Sequence, residues 1–141
     1  MQEMSKQEAI DFLVAGTRTG KLATASSSGA PHVAPLWFVL DGDELVFTTG
    51  RDSVKGRHLR ANPRAALTVD REEFPYAFVT VRGPVRVEQA PADLLTWTTR
   101  LAERYVPSGR AEEYGRRNLG PTELLCRLGM ERIVGIDGIA L

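Results

Sequence analysis

Apolar positions change their period several times along the chain, and each change predicts an element. Ile10, Leu13 and Val14 share one face of a short amphipathic helix, with Ser5 as its N-cap and Gly16 as its stop. Strand patterns follow in "KLATASSSGAPHVAPLWFVLDGDELVFTTG", where three β-type runs cover residues 21–26, 31–40 and 44–49. Ser-Ser-Gly and Asp41-Gly42 separate them, both turn chemistry, so the expectation is an antiparallel meander with a hairpin tip at Asp41-Gly42. The middle run is apolar on both faces: Val33, Pro35, Trp37 and Val39 on one, Ala34, Leu36, Phe38 and Leu40 on the other. Both sides therefore need cover, one from the chain's own core and the other from a second subunit, a ligand or the far wall of a small barrel.

The stretch "FTTGRDSVKGRHLRANPRAALTV", residues 47–69, reads as strand, helix, strand. Ser53 caps a helix over 54–61, Asn62-Pro63 ends it, and "RAALTV" resumes the sheet. "YAFVTVRGPVRVEQ" is the longest strand run, with a kink or bulge at Gly83-Pro84. Pro91 opens a helix that carries Leu94, Trp97, Leu101 and Tyr105 on one stripe, "AEEYGRRN" is a weaker helical piece, and "LLCRLGMERIVGID" closes as strand. The sum is a mainly β fold with inserted helices, an α+β barrel of about six largely antiparallel strands rather than a doubly wound sheet.

Charge and cysteine content narrow the functional classes. Lys+Arg and Asp+Glu balance at 18 each, so no global field draws nucleic acid or an anionic membrane, and any basic patch is local. Cys126 is alone, which leaves no intramolecular disulfide. No stretch has the length and apolarity of a membrane span or a signal peptide. With no repeat or linker-like break, residues 1–141 read as one soluble, cytoplasmic domain.

Local charge is more informative. Arg51, Lys55 and Arg57 gather at the start of the 54–61 helix, where the helix dipole disfavours cations by a few tenths to about 1 kcal/mol. A phosphate there reverses the sign, with Thr48, Thr49, Ser53 and the helix amides as further donors. A solvated helix face accounts for the same charges, and for Arg60 and Arg64 near the other end it is sufficient. Pro35 marks either an interrupted pairing where a flat ring can lie against "PLWF" or a simple edge strand. Trp37 fits either a core or a stacking role. His32 and His58 have no cysteine near them in sequence, which argues against a metal site. No nucleophile elbow, Walker-type loop or dinucleotide fingerprint occurs, and no side chain stands out as a catalytic acid or base.

Three blocks together resemble the split β-barrel flavin and deazaflavin oxidoreductases related to pyridoxamine 5′-phosphate oxidase: "LATASSSGAPHVAPLWF", the 47–69 stretch and "VTVRGPVRV". The resemblance runs from about Lys21 to Asp137. Its most specific part is Phe47-x-Thr49, then Ser53-x-Lys55 at a helix start and Asn62-Pro63 at its end. The resemblance implies a homodimer with a flavin-type cofactor in a groove at the interface. It implies a phosphate held by Lys55 with Thr48, Thr49 and Ser53 as neighbours, and a ring lined by backbone at Pro35, Leu36 and Trp37. Many FMN-binding members carry Arg-Lys after the serine, whereas this chain has Val54-Lys55, and "VAPLWF" lacks the basic residues that those oxidases offer FMN. The combination looks more like the branch that uses coenzyme F420, with Arg51 and Arg57 as contacts for its acidic tail. What it implies is a reductase passing a hydride from reduced F420 to an unsaturated or carbonyl-containing small molecule, with an FMN enzyme or a non-catalytic flavin or haem carrier as the alternatives.

Overall fold

The computed structural model describes residues 1–141 as nine strands and four helices, with every strand pairing antiparallel. In chain order these are β1 (Gln2–Glu3), α1 (Lys6–Val14), β2 (Gly20–Ala25), β3 (Pro31–Leu36), β4 (Val39–Asp41) and β5 (Glu44–Gly50). Then come α2 (Val54–Ala61), β6 (Arg64–Arg71), β7 (Ala77–Gln89), α3 (Leu94–Tyr105), α4 (Ala111–Arg117), β8 (Glu123–Gly129) and β9 (Arg132–Asp137). The sheet order is β3-β2-β6-β7-β8-β5-β4, with β9 against the first half of β7 and β1 against β9. No helix is long and apolar enough to cross a membrane.

β7 makes the sheet curl. Ala77–Arg82 pair with β9, whereas Val85–Gln89 pair with β8 on the same edge. The exchange falls at Gly83-Pro84, and Gly83 is required there, because a Cβ would run into the Gly129 carbonyl as β8 ends against it. The kink expected at this dipeptide is thus the point where one strand leaves the sheet and another enters. The half-barrel so formed encloses Leu22, Leu67, Val79 and Val81 from one half and Leu45, Phe47, Leu124 and Leu128 from the other. Ala9 and Leu13 of α1 and Leu59 of α2 pack into the same core. The outer side of β4, β5 and β8 is covered by α3, whose Leu94, Trp97 and Leu101 meet Val39, Val46 and Leu125.

The structure corrects three expectations. The 31–40 run is two strands, and the expected meander is two separate hairpins: β3 pairs only with β2, and β4 only with β5, whose other neighbour is β8. The run breaks at Trp37 and Phe38, between the end of β3 and the start of β4. Phe38 is fully buried in the main core, while Trp37 stacks on Tyr105 at 5.2 Å with the rings 6° from parallel. α3 pins this break: Arg104 donates to the carbonyls of Leu13 (2.9 Å), Gly16 (3.1 Å) and Phe38 (2.7 Å), and the Tyr105 hydroxyl meets those of Arg18 (3.0 Å) and Phe38 (3.3 Å). Along β3 the outward-facing Val33 is 66% exposed in the single chain. The closing run likewise divides, at Met130-Glu131, so six expected runs become nine strands once β1 is added. The helix placed at Pro91 starts at Leu94 after one turn, in which the Pro91 carbonyl accepts from the Leu94 amide. The tip at Asp41-Gly42 and the 54–61 helix stand as expected.

Candidate functional site

β5 runs directly into α2 through a turn that its own side chains organise. The Ser53 hydroxyl donates to the Gly50 carbonyl at 2.7 Å, accepts from the Gly56 amide at 3.0 Å and lies 2.9 Å from the Thr49 hydroxyl. With the Ser53 proton committed to Gly50, Thr49 is the donor in that last bond, so both hydroxyl protons are spent within the turn. Gly56 lets the helix sit this close: a Cβ there would overlap the Gly50 carbonyl and lie 2.7 Å from that of Arg51. The Arg51 amide in turn bonds the Thr122 carbonyl of the loop before β8, which fixes the turn from the other side.

What remains unspent at this helix start is its amides and one lysine. No acid lies in the first turn, and the amides of Val54 and Lys55 have no acceptor in the chain. Arg51 pairs with Asp52 at 3.5 Å, Arg57 donates to the Asp52 carbonyl, Arg60 reaches back to the Arg51 carbonyl at 3.1 Å and Arg64 pairs with Glu131 at 3.0 Å. Of the five cations around α2, Lys55 is the one without an ion pair or hydrogen bond. An ammonium and two free amides at the positive end of a helix make a site for an oxyanion. Asp52, three-quarters exposed, sits beside it as the one nearby carboxylate in the turn.

The other residues singled out from sequence divide between this turn and the β3–β4 break. Thr49 is buried beneath α2, whereas Thr48 points to the opposite face of β5 toward α3 and has no side-chain partner. Pro35 is exposed on β3, the free edge of the sheet, where its missing donor costs least. Leu36 packs against the main core and Trp37 against the α3 cluster, so the backbone is what the 35–37 segment leaves open.

Two features escaped the sequence reading. His58 Nδ1 lies 3.0 Å from the Thr24 hydroxyl, and the His32 ring meets His58 edge-on with centroids 6.1 Å apart, so β2 and β3 touch the underside of α2 through residues far apart in sequence. No group of three or more His, Cys, Asp or Glu side chains that could hold a metal forms around them. Glu123 stands opposite Gly50 in the β5–β8 register, half-buried, and burial holds its carboxyl above the usual carboxylate range.

A family model described as pyridoxamine 5′-phosphate oxidase matches residues 6–126. The chain belongs to the pyridoxamine 5′-phosphate oxidase family. The match and the half-barrel together give it a flavin-type oxidoreductase fold. A pyridoxine/pyridoxamine 5′-phosphate oxidase of Pseudomonas entomophila is 46% identical over 72 residues, 50% of this chain and 32% of that protein. The chain thus spans about a third of the length of the curated family members it matches. Among solved structures, a conserved hypothetical protein of Mycobacterium tuberculosis superposes with a TM-score of 0.82 at 24% identity, covering 96% of this chain and 86% of that one. An F420 reductase superposes at 0.66 with 26% identity over 87% of this chain and 94% of its own. HutZ, the heme storage protein of Vibrio cholerae, shares the fold at 0.70 and 18% identity over 91% and 92%.

Proposed function

We propose that this protein is an F420-dependent oxidoreductase that passes a hydride from reduced deazaflavin to an unsaturated or carbonyl-containing small molecule. The observation that carries the reading is the start of α2, where Lys55 and the amides of Val54 and Lys55 are the donors left free. A single cation there suits a phosphodiester better than the doubly charged phosphate of FMN, and Val54, partly exposed, supplies no second charge. The F420 reductase among the structural neighbours agrees with this choice.

In this reading Lys55 grips the phosphate, and Thr49 and Ser53 keep the turn in shape with their hydroxyls. Thr48 offers its free hydroxyl, Arg51 and Arg57 face the acidic tail, and the backbone of Pro35, Leu36 and Trp37 lies along the ring. The cofactor supplies the hydride; the protein orients it and keeps water from the transfer. Trp37 and Tyr105, stacked and tied to α3, hold the ring-lining segment rigid. An FMN-dependent enzyme is the alternative, favoured by the pyridoxamine 5′-phosphate oxidases that match half of the chain. A non-catalytic flavin or haem carrier is a further one.

The same reading makes the protein a cytoplasmic homodimer with the cofactor groove at the interface. The outward face of the sheet carries the cross-strand row Pro35, Lys21, Thr68, Thr80 and Val134, next to the mostly exposed Val33, and no helix covers it. Sedimentation at micromolar concentration returning a species of the 15.5 kDa chain mass would contradict this.

Purified protein separates the cofactor readings. A colourless preparation that binds added F420 more tightly than FMN supports the proposal, while a bound flavin spectrum or a Soret band replaces it with one of the alternatives.

A further inference from the structure

The largest concavity of the chain, about 680 Å³, contains none of the residues discussed for the cofactor. It lies on the outward face of the sheet, beyond the C-terminal end of α2. A single cross-strand row runs through it: Ala23, Ala66, Arg82 and Arg132, on β2, β6, β7 and β9 in turn. Two neighbouring alanines make a flat apolar floor at its centre. At its end two arginines stand directly opposite each other in register, and neither makes an ion pair or hydrogen bond. Arg64 and Asn62 border the groove, and Glu131, its one carboxylate, is taken by Arg64 at 3.0 Å.

Like charges placed directly across an antiparallel pair destabilise it, and this pair lacks the acid that would offset the repulsion. Exposed ion pairs elsewhere on the surface find partners, as Arg71 does with Asp137 and Arg86 with Glu44. Two unpaired guanidiniums side by side instead present parallel forks, the arrangement that holds a carboxylate or phosphate through paired charge-assisted bonds. Small side chains on neighbouring strands leave room beside them for a ring.

We propose that this groove is a binding site for a flat, apolar molecule carrying one oxyanion, an aromatic carboxylate or an aryl phosphate, with Arg82 and Arg132 as the anion clamp and Ala23 and Ala66 as the floor. The site is separate from the start of α2 and does not rest on the F420 reading; it lies on the outward sheet face that this reading gives to the second subunit, one row along from Lys21, Thr68 and Thr80.

The test is a titration of the ¹⁵N-labelled full chain with phenyl phosphate, benzoate and inorganic phosphate, followed through backbone amide shifts. Saturable shifts at Ala23, Ala66, Arg82 and Arg132 are expected, unchanged in Lys55→Ala, which removes the other anion site. The Arg82→Gln/Arg132→Gln double variant should bind at least about tenfold more weakly, equivalent to 1.4 kcal/mol, and should melt no lower than the parent in low salt because it loses a repulsion. The tighter of benzoate and phenyl phosphate identifies the head group. Four results overturn the proposal: shifts confined to residues 53–57, inorganic phosphate binding as tightly as either aromatic probe, a double variant that binds the probes normally, or one that melts lower or falls from dimer to monomer, which would make the arginines structural or interfacial.

Discussion

Replacing Gly56 with alanine perturbs the candidate site without touching its chemistry. The new methyl would overlap the Gly50 carbonyl and sit 2.7 Å from the Arg51 carbonyl, where ordinary contact begins at 3.4 Å. Both obstacles are backbone, so the first turn of α2 must back away by more than half an ångström. Alanine regains about 0.5–1 kcal/mol of helix propensity relative to glycine. Overpacking against rigid neighbours costs about 1–3 kcal/mol. The net expectation is a loss of about 0.5–2 kcal/mol in urea unfolding at constant m-value, together with weaker cofactor binding, because the amides of Val54 and Lys55 move with the turn. Circular dichroism melts and a fluorescence titration on the same preparation read both effects. If Gly56→Ala is neutral or stabilising and binds cofactor normally, the tight seat of α2 on the end of β5 is wrong, and with it the reason that the anion donors are held in place.

Further outcomes follow from individual side chains. Glu123 keeps its proton more readily folded than unfolded, so the folded state binds more protons and stability should fall as pH rises from about 4.5 through the raised folded value; Glu123→Gln should remove that slope in pH-dependent urea melts, and an unchanged slope would refute the burial argument. Burial pushes the Cys126 thiol up to about 12, so a thiol reagent should label the native protein no faster than it unfolds, and rapid labelling at neutral pH would contradict the packing. Tyr105→Phe leaves the Phe38 carbonyl its bond from Arg104 but removes the hydroxyl's bond to the Arg18 carbonyl, and should cost about 1–3 kcal/mol, with the loss read by chemical denaturation.

The turn from β5 into α2 was legible residue by residue, because its cap, its helix and its stop are local: Ser53 accepts from Gly56, and Asn62-Pro63 ends the helix where proline chemistry says it must. The same holds for Gly42, whose φ of +62 suits the hairpin tip expected there. What could not be read was which strand lies beside which. Placing β5 next to β8, rather than in a meander with the strands before it, depends on pairings between residues as distant as Phe47 and Cys126. Nor does a run that is apolar on both faces disclose its break, since Trp37 and Phe38 keep period two right up to the point where one turns to Tyr105 and the other to the main core. Sequence distance likewise hid the meeting of His32 with His58 and the register that sets Arg82 against Arg132. At the proposed cofactor site the residue types stand in the sequence, but the hydrogen bonds that divide their roles do not. That Ser53 and Thr49 spend their protons on the turn, leaving Lys55 and two amides as donors, follows from hydrogen bonds that no spacing encodes.

Lys55 tests the proposed cofactor site most directly. Titration of F420 fluorescence against the native chain, Lys55→Ala and Arg116→Ala compares the unpaired ammonium with an exposed arginine of α4 that is already engaged by Glu112. Loss of one charge-assisted bond to a phosphate, about 1.5–3 kcal/mol, should raise the dissociation constant roughly tenfold to more than a hundredfold in Lys55→Ala, with melting behaviour retained and Arg116→Ala unchanged. Equal affinities for all three proteins would contradict the claim that the start of α2 holds the cofactor.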